Sequence, residues 1–201
     1  MVVIGITGPT GAGKTTALNE LSALGGCTLD ADSIYHQMLE SNFGLRSELE
    51  SRFGVMTDAA GRFDRKKLGA VVFQDPKALA DLNAITHRHM DAELKARLAR
   101  AEQEGYPAAA IDAIRLIESG AAELCDVTVA ITAPPEIRIR RIMAREGISE
   151  EYARARVAAQ PSDAFYKEAC DYLLINDCAD RKEFGARARD LLALILRCGK
   201  Q

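Results

Sequence analysis

The chain lacks the features that define several large protein classes. No apolar run approaches the roughly 18 residues that are needed to span a bilayer. No block of lysine and arginine stands out and the net charge is −3, which argues against a surface that coats nucleic acid. The sequence enters an apolar segment and a glycine-rich loop directly, which leaves no room for a signal or transit peptide. We therefore predict a cytoplasmic protein with no membrane or nucleic-acid partner.

Cysteine and histidine are also too few and too scattered to predict a metal centre. The 5 cysteines form no C-x-x-C pair, so we predict reduced thiols rather than disulfides or metal ligands. The 3 histidines are not spaced as metal ligands, and His87 and His89 face different directions on a predicted helix. A chain of 201 residues, of which 48% are apolar, has room for one α/β domain with small inserts.

A complete phosphate-binding loop is present near the start of the chain. Residues 8–15 read GPTGAGKT and match G-x-x-x-x-G-K-[ST]. An apolar β-branched run precedes the loop and leucines at helical spacing follow it, so strand, loop and helix are in the order that the motif needs. Glycines let backbone N–H groups approach phosphate, Lys14 would reach the β- and γ-phosphates of ATP, and the Thr15 hydroxyl would ligate Mg²⁺. The residues predicted to bind the nucleotide here are Gly11, Ala12, Gly13, Lys14, Thr15 and Thr16.

Short apolar segments alternate with helical patterns along much of the chain. Such alternation predicts a parallel sheet with helices on both faces, in which ligands gather at the carboxyl ends of the strands. The predicted strands are residues 2–6, 27–29, 108–113, 127–132 and 172–175.

Two segments depart from this alternation. Residues 45–103 have helical patterns but no strand candidate, and the block is too long for a simple crossover, so we predict a helical insert. Residues 134–160 predict two arginine-bearing helices, the second starting after Ser149, which is typical of the lid of a phosphoryl-transfer enzyme. The predicted division is a core of residues 1–44, 106–133 and 170–201, an insert of about 45–105 and a lid of about 134–169.

Asp30 and Asp32 follow the second predicted strand, at the sheet edge where ligands bind. Phosphoryl transfer to an alcohol needs a carboxylate that orients the acceptor hydroxyl and takes its proton. We assign this role to Asp32, with a share in holding Mg²⁺, and a positional role to Asp30. The alternative is that Asp32 caps a helix beginning at Ser33.

Arg141 and Arg145 are four residues apart and therefore share one helix face, with Arg138 on the same side. As lid residues they would neutralise charge that spreads over the transferred phosphoryl group, and lid closure would exclude water. The alternative is that these arginines are solvated or paired with Glu136 and Glu146.

Taken in order, these segments resemble the dephospho-coenzyme A kinases over residues 4–176. The resemblance implies a P-loop NTPase three-layer α/β sandwich with a five-stranded parallel sheet, a helical substrate-binding insert and a helical lid. It also implies transfer of the γ-phosphoryl of MgATP to the ribose 3′-hydroxyl of dephospho-CoA. The segments that carry it are the phosphate loop, LDAD at 29–32, DRKKL at 64–68 with VF at 72–73, LNAITH at 82–87, LIE at 116–118, Arg141 with Arg145, Gln160, and residues 171–176.

The resemblance further implies roles for individual residues. Asp32 would be the base, Arg141 a lid arginine on the ATP phosphates, and Asn176 a neighbour of the adenine. His87 and Glu118 would face the dephospho-CoA side. We expect a monomer or a weak homo-oligomer.

The chain departs from the family pattern mainly on the acceptor side. Arg88 stands where the family usually has proline, and Ile114-Arg115 replaces the start of a Pro-Leu-Leu-x-Glu signature. A lysine expected before Asp171 is Tyr166, and Asn176 is followed by Asp177-Cys178 instead of a nearby glycine. Arg115 could add a contact to a substrate phosphate.

These departures leave two alternatives open. One is an ATP-dependent kinase of another small hydroxyl metabolite, such as a nucleoside. The other is a non-catalytic nucleotide-binding protein or switch. The absence of a guanine-selecting Asn-Lys-x-Asp motif argues against a switch, and the joint presence of Lys14, Thr15, Asp32 and Arg141 argues against a protein without turnover.

Overall fold

A computed structural model describes residues 1–58 and 61–199 of the chain. The strands are β1 (Val2–Thr7), β2 (Cys27–Asp30), β3 (Ala108–Asp112), β4 (Val127–Thr132) and β5 (Tyr172–Ile175). The helices are α1 (Lys14–Ala23), α2 (Ala31–Ser41), α3 (Phe43–Phe53), α4 (Arg65–Val72), α5 (Pro76–Gln103), α6 (Pro135–Glu146), α7 (Glu150–Ala158), α8 (Asp163–Ala169) and α9 (Arg181–Cys198), with a 3₁₀ turn at Ala121–Leu124.

The strands form one sheet in the order β2-β3-β1-β4-β5, with β1 at its centre. Strand β1 runs parallel to β3, with Ile6 opposite Asp112, and parallel to β4, with Thr7 opposite Ala130. Strands β2 and β3 lie on one side of β1, and β4 and β5 lie on the other side. The order of the strands therefore reverses beside β1, and the loop after β1 lies where such sheets usually bind ligands. The predicted α/β fold with five parallel strands is confirmed, as are all five predicted strands to within two residues.

The core explains why these apolar segments become strands. Ile4 and Ile6 of β1 and Ile131 of β4 are fully buried in one cluster with side chains of α1 and α9. Strand β3 contributes three fully buried alanines, residues 108–110. Because both faces of the central strands are covered, these strands read as continuous apolar runs without alternation.

The chain divides into two compact units, Met1–Leu29 with Leu98–Gln201, and Asp30–Arg97. The second unit contains α2, α3, α4 and most of α5, with an isolated antiparallel bridge from Thr57 to Phe63. Its own small core includes Met56, Leu68, Val72 and Ala78. The predicted boundaries of core, insert and lid remain predictions.

Several helices begin at the polar residues that the sequence supplies as caps. The Ser149 hydroxyl accepts a hydrogen bond from the Tyr152 N–H and starts α7, as predicted. The Asp64 carboxylate accepts from the N–H groups of Lys66 and Lys67, which places the start of α4 inside the DRKKL segment. Such caps satisfy N–H groups that have no partner within the helix. Within residues 1–58 and 61–199, no helix is both long and apolar enough to cross a membrane.

Asp171 joins the starts of β4 and β5 and should make stability depend on pH. Its carboxylate accepts from the N–H and the hydroxyl of Thr128, each at 2.8 Å, and these bonds lower its pKa. A lowered pKa stabilises the fold above the unfolded value of about 3.9 and the effect is lost as the pH falls. We expect Asp171→Asn to lower Tm by about 2–4 °C at pH 7, as for loss of roughly 1 kcal/mol.

Thermal unfolding of both proteins between pH 7 and pH 3 checks this expectation. The difference in Tm should shrink as the pH falls below about 4, because the unfolded chain then binds the proton before the folded carboxylate does. Asp190→Asn, at an exposed position of α9, is the control and should leave Tm unchanged. A constant difference in Tm at every pH would contradict an ionic contribution of Asp171.

Candidate active site

The loop between β1 and α1 adopts a conformation that only glycine permits at two positions. Gly8 has φ +135°, and a Cβ there would lie 2.0 Å from the carbonyl oxygen of Ile131. Gly13 has φ +109°, and a Cβ there would lie 2.3 Å from Asn176 Nδ2. Gly13 also stands at the N-cap of α1, where no side-chain cap is present. Such a terminus fits an anion.

The two side chains that follow the loop are placed for phosphate chemistry. Lys14 Nζ lies over the loop and donates to the Gly8 carbonyl oxygen at 2.8 Å. Thr15 is exposed in the first turn of α1. An exposed hydroxyl at this position is available to a metal ion that arrives with the nucleotide.

Arg141 and Asn176 hold the same loop. Arg141 Nη1 donates to the carbonyl oxygens of Gly11 and Ala12 at 3.2 and 3.4 Å, and Nη2 donates to Asn176 Oδ1 at 3.2 Å. Asn176 is 4% exposed, and its Nδ2 donates to the Ala12 carbonyl oxygen at 2.8 Å. Partial burial lowers the pKa of Arg141, chiefly by desolvation. The structure thus gathers Lys14, Arg141 and Asn176 at the loop, and the amide of Asn176 is committed to holding it.

A second pair of side chains holds Thr10, a contact that the sequence did not predict. Arg138 Nε donates to the Thr10 carbonyl oxygen at 3.0 Å, and Nη2 donates to Gln160 Oε1. Gln160 Oε1 also accepts from the Thr10 N–H at 3.2 Å, and Gln160 Nε2 donates to Thr10 Oγ1 at 3.1 Å. Arg138 lies three residues before Arg141, a spacing that places both on one helix face and is the sequence signal for its position.

Arg145 is not brought to the loop. Its side chain is 60% exposed, and Nη2 donates to Glu146 Oε1 at 2.6 Å. Glu146 also accepts from Arg156, and the two arginines lower the pKa of its carboxyl group. Arg145 therefore matches the ion-paired alternative in this structure, while its role toward ATP remains a prediction.

The cap alternative for Asp32 is wrong. Helix α2 begins at Ala31 rather than Ser33, and Asp30 is the cap, with Oδ1 accepting from the Ser33 N–H at 3.0 Å. Asp32 is exposed in the first turn and makes no hydrogen bond or ion pair to the described residues. Its carboxylate is therefore available for a ligand, and the positional role predicted for Asp30 agrees with its capping bond.

His87 lies in α5 and is exposed. The neighbouring Arg88, which replaces the usual proline, donates to Glu48 Oε1 and so joins α5 to α3. His89 Nε2 contacts the other oxygen of Glu48 at 2.9 Å, and these bonds lower the pKa of Glu48. The departure at Arg88 thus has a structural reason within the unit Asp30–Arg97.

Arg115 and Glu118 are exposed in the segment after β3. The Thr7 hydroxyl donates to the Ile114 carbonyl oxygen at 3.1 Å and fixes the start of this segment beside β1. Burial and the negative charge of Glu118 raise the pKa of Tyr166 to about 12. Tyr166 is therefore neutral at physiological pH.

Asp112 is a candidate that the sequence analysis missed. It ends β3, opposite Ile6 of β1, and its Oδ1 is buried. An acid at the end of the strand beside the phosphate loop is well placed to help hold Mg²⁺ in a P-loop NTPase. The signal was present in the sequence as the only acid within the predicted third strand.

The residues present fit Mg²⁺ bound together with a nucleotide. The described part of the chain contains no group of 3 or more His, Cys, Asp or Glu side chains that could hold a metal. Mg²⁺ does not need such a cage, because it takes one or two protein ligands, substrate phosphates and water. In the first unit, the Thr15 hydroxyl and the Asp112 carboxylate are oxygen donors of the kind that this ion prefers.

Replacing Gly13 by alanine tests the loop geometry. The substitution imposes the left-handed strain of about 1–2 kcal/mol and a contact with Asn176, so we expect KM for ATP to rise at least about tenfold. Steady-state kinetics with varied ATP measure this. Gly105→Ala is the matched control, because Gly105 has φ +83° but a Cβ there would meet no atom within 4 Å. An unchanged KM in Gly13→Ala would contradict a phosphate site at this loop.

Comparison with known proteins agrees with this geometry. Residues 2–181 match the family model of dephospho-CoA kinases. A dephospho-CoA kinase of Dehalococcoides mccartyi is 36% identical over 179 residues, which is 89% of this chain and 90% of that protein. One of Corynebacterium efficiens is 34% identical over 98% of both chains. The structure of dephospho-CoA kinase from Campylobacter jejuni superposes with a TM-score of 0.72 at 26% identity and covers 98% of each chain. With its phosphate loop braced by Arg141 and Asn176, the chain belongs to the dephospho-CoA kinase family.

Proposed function

We propose that this protein transfers the γ-phosphoryl group of MgATP to the ribose 3′-hydroxyl of dephospho-CoA, forming coenzyme A and ADP. The observation that carries the proposal is the phosphate loop with Lys14 above it and Arg141 against its carbonyl groups, in a chain of this family. Charge spread over the γ-phosphoryl oxygens in the transition state is stabilised by such fixed cations.

In the proposed reaction, the loop N–H groups and Lys14 bind and orient the triphosphate. Mg²⁺, held by Thr15, Asp112 and the phosphates, would neutralise charge on the β- and γ-oxygens. Asp32 would accept the proton of the attacking hydroxyl and share in holding the metal, because its exposed carboxylate has no partner among the described residues. The γ-phosphorus–oxygen bond to ADP breaks as the bond to the acceptor oxygen forms.

On the acceptor side, we propose that His87, Glu118 and Arg115 contact dephospho-CoA. Arg115 is exposed and has no ion pair to the described residues, so its guanidinium is available to a substrate phosphate. Arg145 and Asn176 would serve the ATP side. A cytoplasmic location and a monomeric or weakly associated state stay predictions.

ADP release with MgATP tests the proposal when dephospho-CoA is compared with adenosine, other nucleosides and no acceptor. We expect turnover with dephospho-CoA only. Turnover with a nucleoside but not with dephospho-CoA would mean that the acceptor is another hydroxyl metabolite. ATP binding without turnover on any acceptor would contradict a kinase.

A further inference from the structure

Arg138 is a buried arginine beside the phosphate loop. It lies in α6 and is 4% exposed, whereas Arg140 on the same helix is exposed. The bonds of its guanidinium go to two neutral oxygens, those of Thr10 and Gln160. Desolvation is the main influence on this group, and it lowers the pKa of Arg138.

No carboxylate lies within ion-pair distance of Arg138 in the described ranges. Tyr166 and Asp163 are close enough to influence the pKa of Arg138, but Tyr166 is neutral because its own pKa is raised to about 12, and Asp163 forms no ion pair with the guanidinium. The positive charge of Arg138 is therefore buried without an anion in contact, which is unfavourable in the absence of a ligand. Three other arginines of α6 and α7 form ion pairs: Arg145 and Arg156 with Glu146, and Arg154 with Glu136 and Glu150.

Arg138 and Gln160, which we name the Thr10 clamp, hold every polar atom of one loop residue. The N–H, the carbonyl oxygen and the hydroxyl of Thr10 are each engaged by one of these side chains. The carbonyl oxygen of Arg138 itself would lie 3.0 Å from a Cβ at Gly11, so α6 is also in close contact with the next loop residue. The Thr10 clamp thus fixes the part of the loop that the Arg141 and Asn176 contacts leave untouched.

We propose that Arg138 is a positioning residue for the nucleotide, which holds Thr10 in the binding geometry and supplies a buried positive charge that the bound phosphates compensate. This inference rests on the proposed function only in taking ATP as the ligand. It explains why an arginine is tolerated at a buried position where it has no acidic partner.

We expect Arg138 to affect the free and the nucleotide-bound protein differently. Replacing Arg138 by methionine removes a buried charge that has no ion-pair partner, a change that is often neutral or stabilising in the free protein. The same change removes two hydrogen bonds of a charged donor, to Thr10 and Gln160, and a positive charge beside the phosphate loop. Tm without nucleotide should therefore stay within about 3 °C of wild type, and Kd for ATP should rise about tenfold or more.

Titration calorimetry with MgATP and no acceptor measures Kd, and thermal unfolding without nucleotide measures Tm. Arg138→Lys keeps the charge and loses the planar fork, so we expect it to recover part of the affinity. Arg140→Met is the matched control on the exposed side of α6 and should bind ATP as the wild type does. In turnover, KM for ATP should rise in Arg138→Met while KM for the acceptor stays within about twofold, since the change acts on the phosphate loop.

The measured Kd and Tm distinguish a role of Arg138 in ATP binding from a role in folding alone. Wild-type affinity in a folded Arg138→Met protein would overturn the proposal and leave the proposed function standing. A large fall in Tm with unchanged Kd would mean that Arg138 serves the fold alone and would also overturn it. Absence of ATP binding by the wild type would instead contradict the proposed function.

Discussion

Replacement of Lys14 by methionine is expected to lower kcat/KM for ATP by about 10³-fold. The substitution keeps most of the aliphatic stem but removes the ammonium group, which lies 2.8 Å from the Gly8 carbonyl oxygen. Loss of one fixed group that stabilises transition-state charge lowers kcat by about 10²–10³-fold, and weaker binding of the triphosphate adds to this.

Initial rates of ADP formation at varied ATP give kcat and KM separately. Lys167→Met, at an exposed position of α8, is the control and should retain wild-type kinetics. If Lys14→Met kept wild-type kcat/KM, the loop between β1 and α1 would not be the site of phosphoryl transfer.

Asp32→Asn is expected to lower kcat about 10²-fold or more while Kd for ATP stays nearly unchanged. The amide has almost the size of the carboxylate but cannot accept the proton of the acceptor hydroxyl. The structure removes helix capping as an alternative explanation of the result, because Asp30 and not Asp32 caps α2. A loss of activity in Asp32→Asn would thus not reflect a lost cap.

Asp30→Asn supplies the matched control for this variant. Asparagine caps helices about as well as aspartate, so we expect Asp30→Asn to keep both its fold and most of its kcat. Single-turnover rates and ATP titration of the two variants separate chemistry from binding. Equal kcat in Asp32→Asn and wild type would show that another group takes the proton.

The phosphate side of the site could be predicted from sequence because its signals are local. The loop glycines, Lys14 and Thr15 are fixed by a short motif with a strand before it and a helix after it. Strand β1 and its buried neighbours appear as continuous apolar runs, and Ser149 marks the start of α7. In each case a few consecutive residues determine the local structure.

The different environments of the α6 arginines could not be predicted from helical spacing. Arg138, Arg141 and Arg145 share a helix face, yet one is buried against Thr10, one braces the loop and one is exposed with Glu146. Arg145 lies about 6 Å further along the helix axis than Arg141, at roughly 1.5 Å per residue, so the loop contacts only the earlier part of α6. That distance depends on how α6 packs against the loop, which helical spacing does not reveal.

The start of α2 could not be predicted from the sequence either. Asp30 and Asp32 are both favourable caps, and the choice depends on whether the helix begins at Ala31 or Ser33. Asp112 was overlooked for a related reason, because an acid at the end of a strand is also common in turns. Asp112 lies beside the phosphate loop because β3 pairs with β1, and this pairing joins segments that are far apart in the chain.

Identification of the product formed from dephospho-CoA and MgATP is the most direct test of the proposed reaction. Mass spectrometry and phosphorus NMR of the purified product determine whether one phosphate has been added and to which oxygen. We predict coenzyme A, with the new monoester on the ribose 3′-oxygen and one ADP released per coenzyme A. A phosphate on another oxygen, or ADP release without coenzyme A, would contradict this reaction.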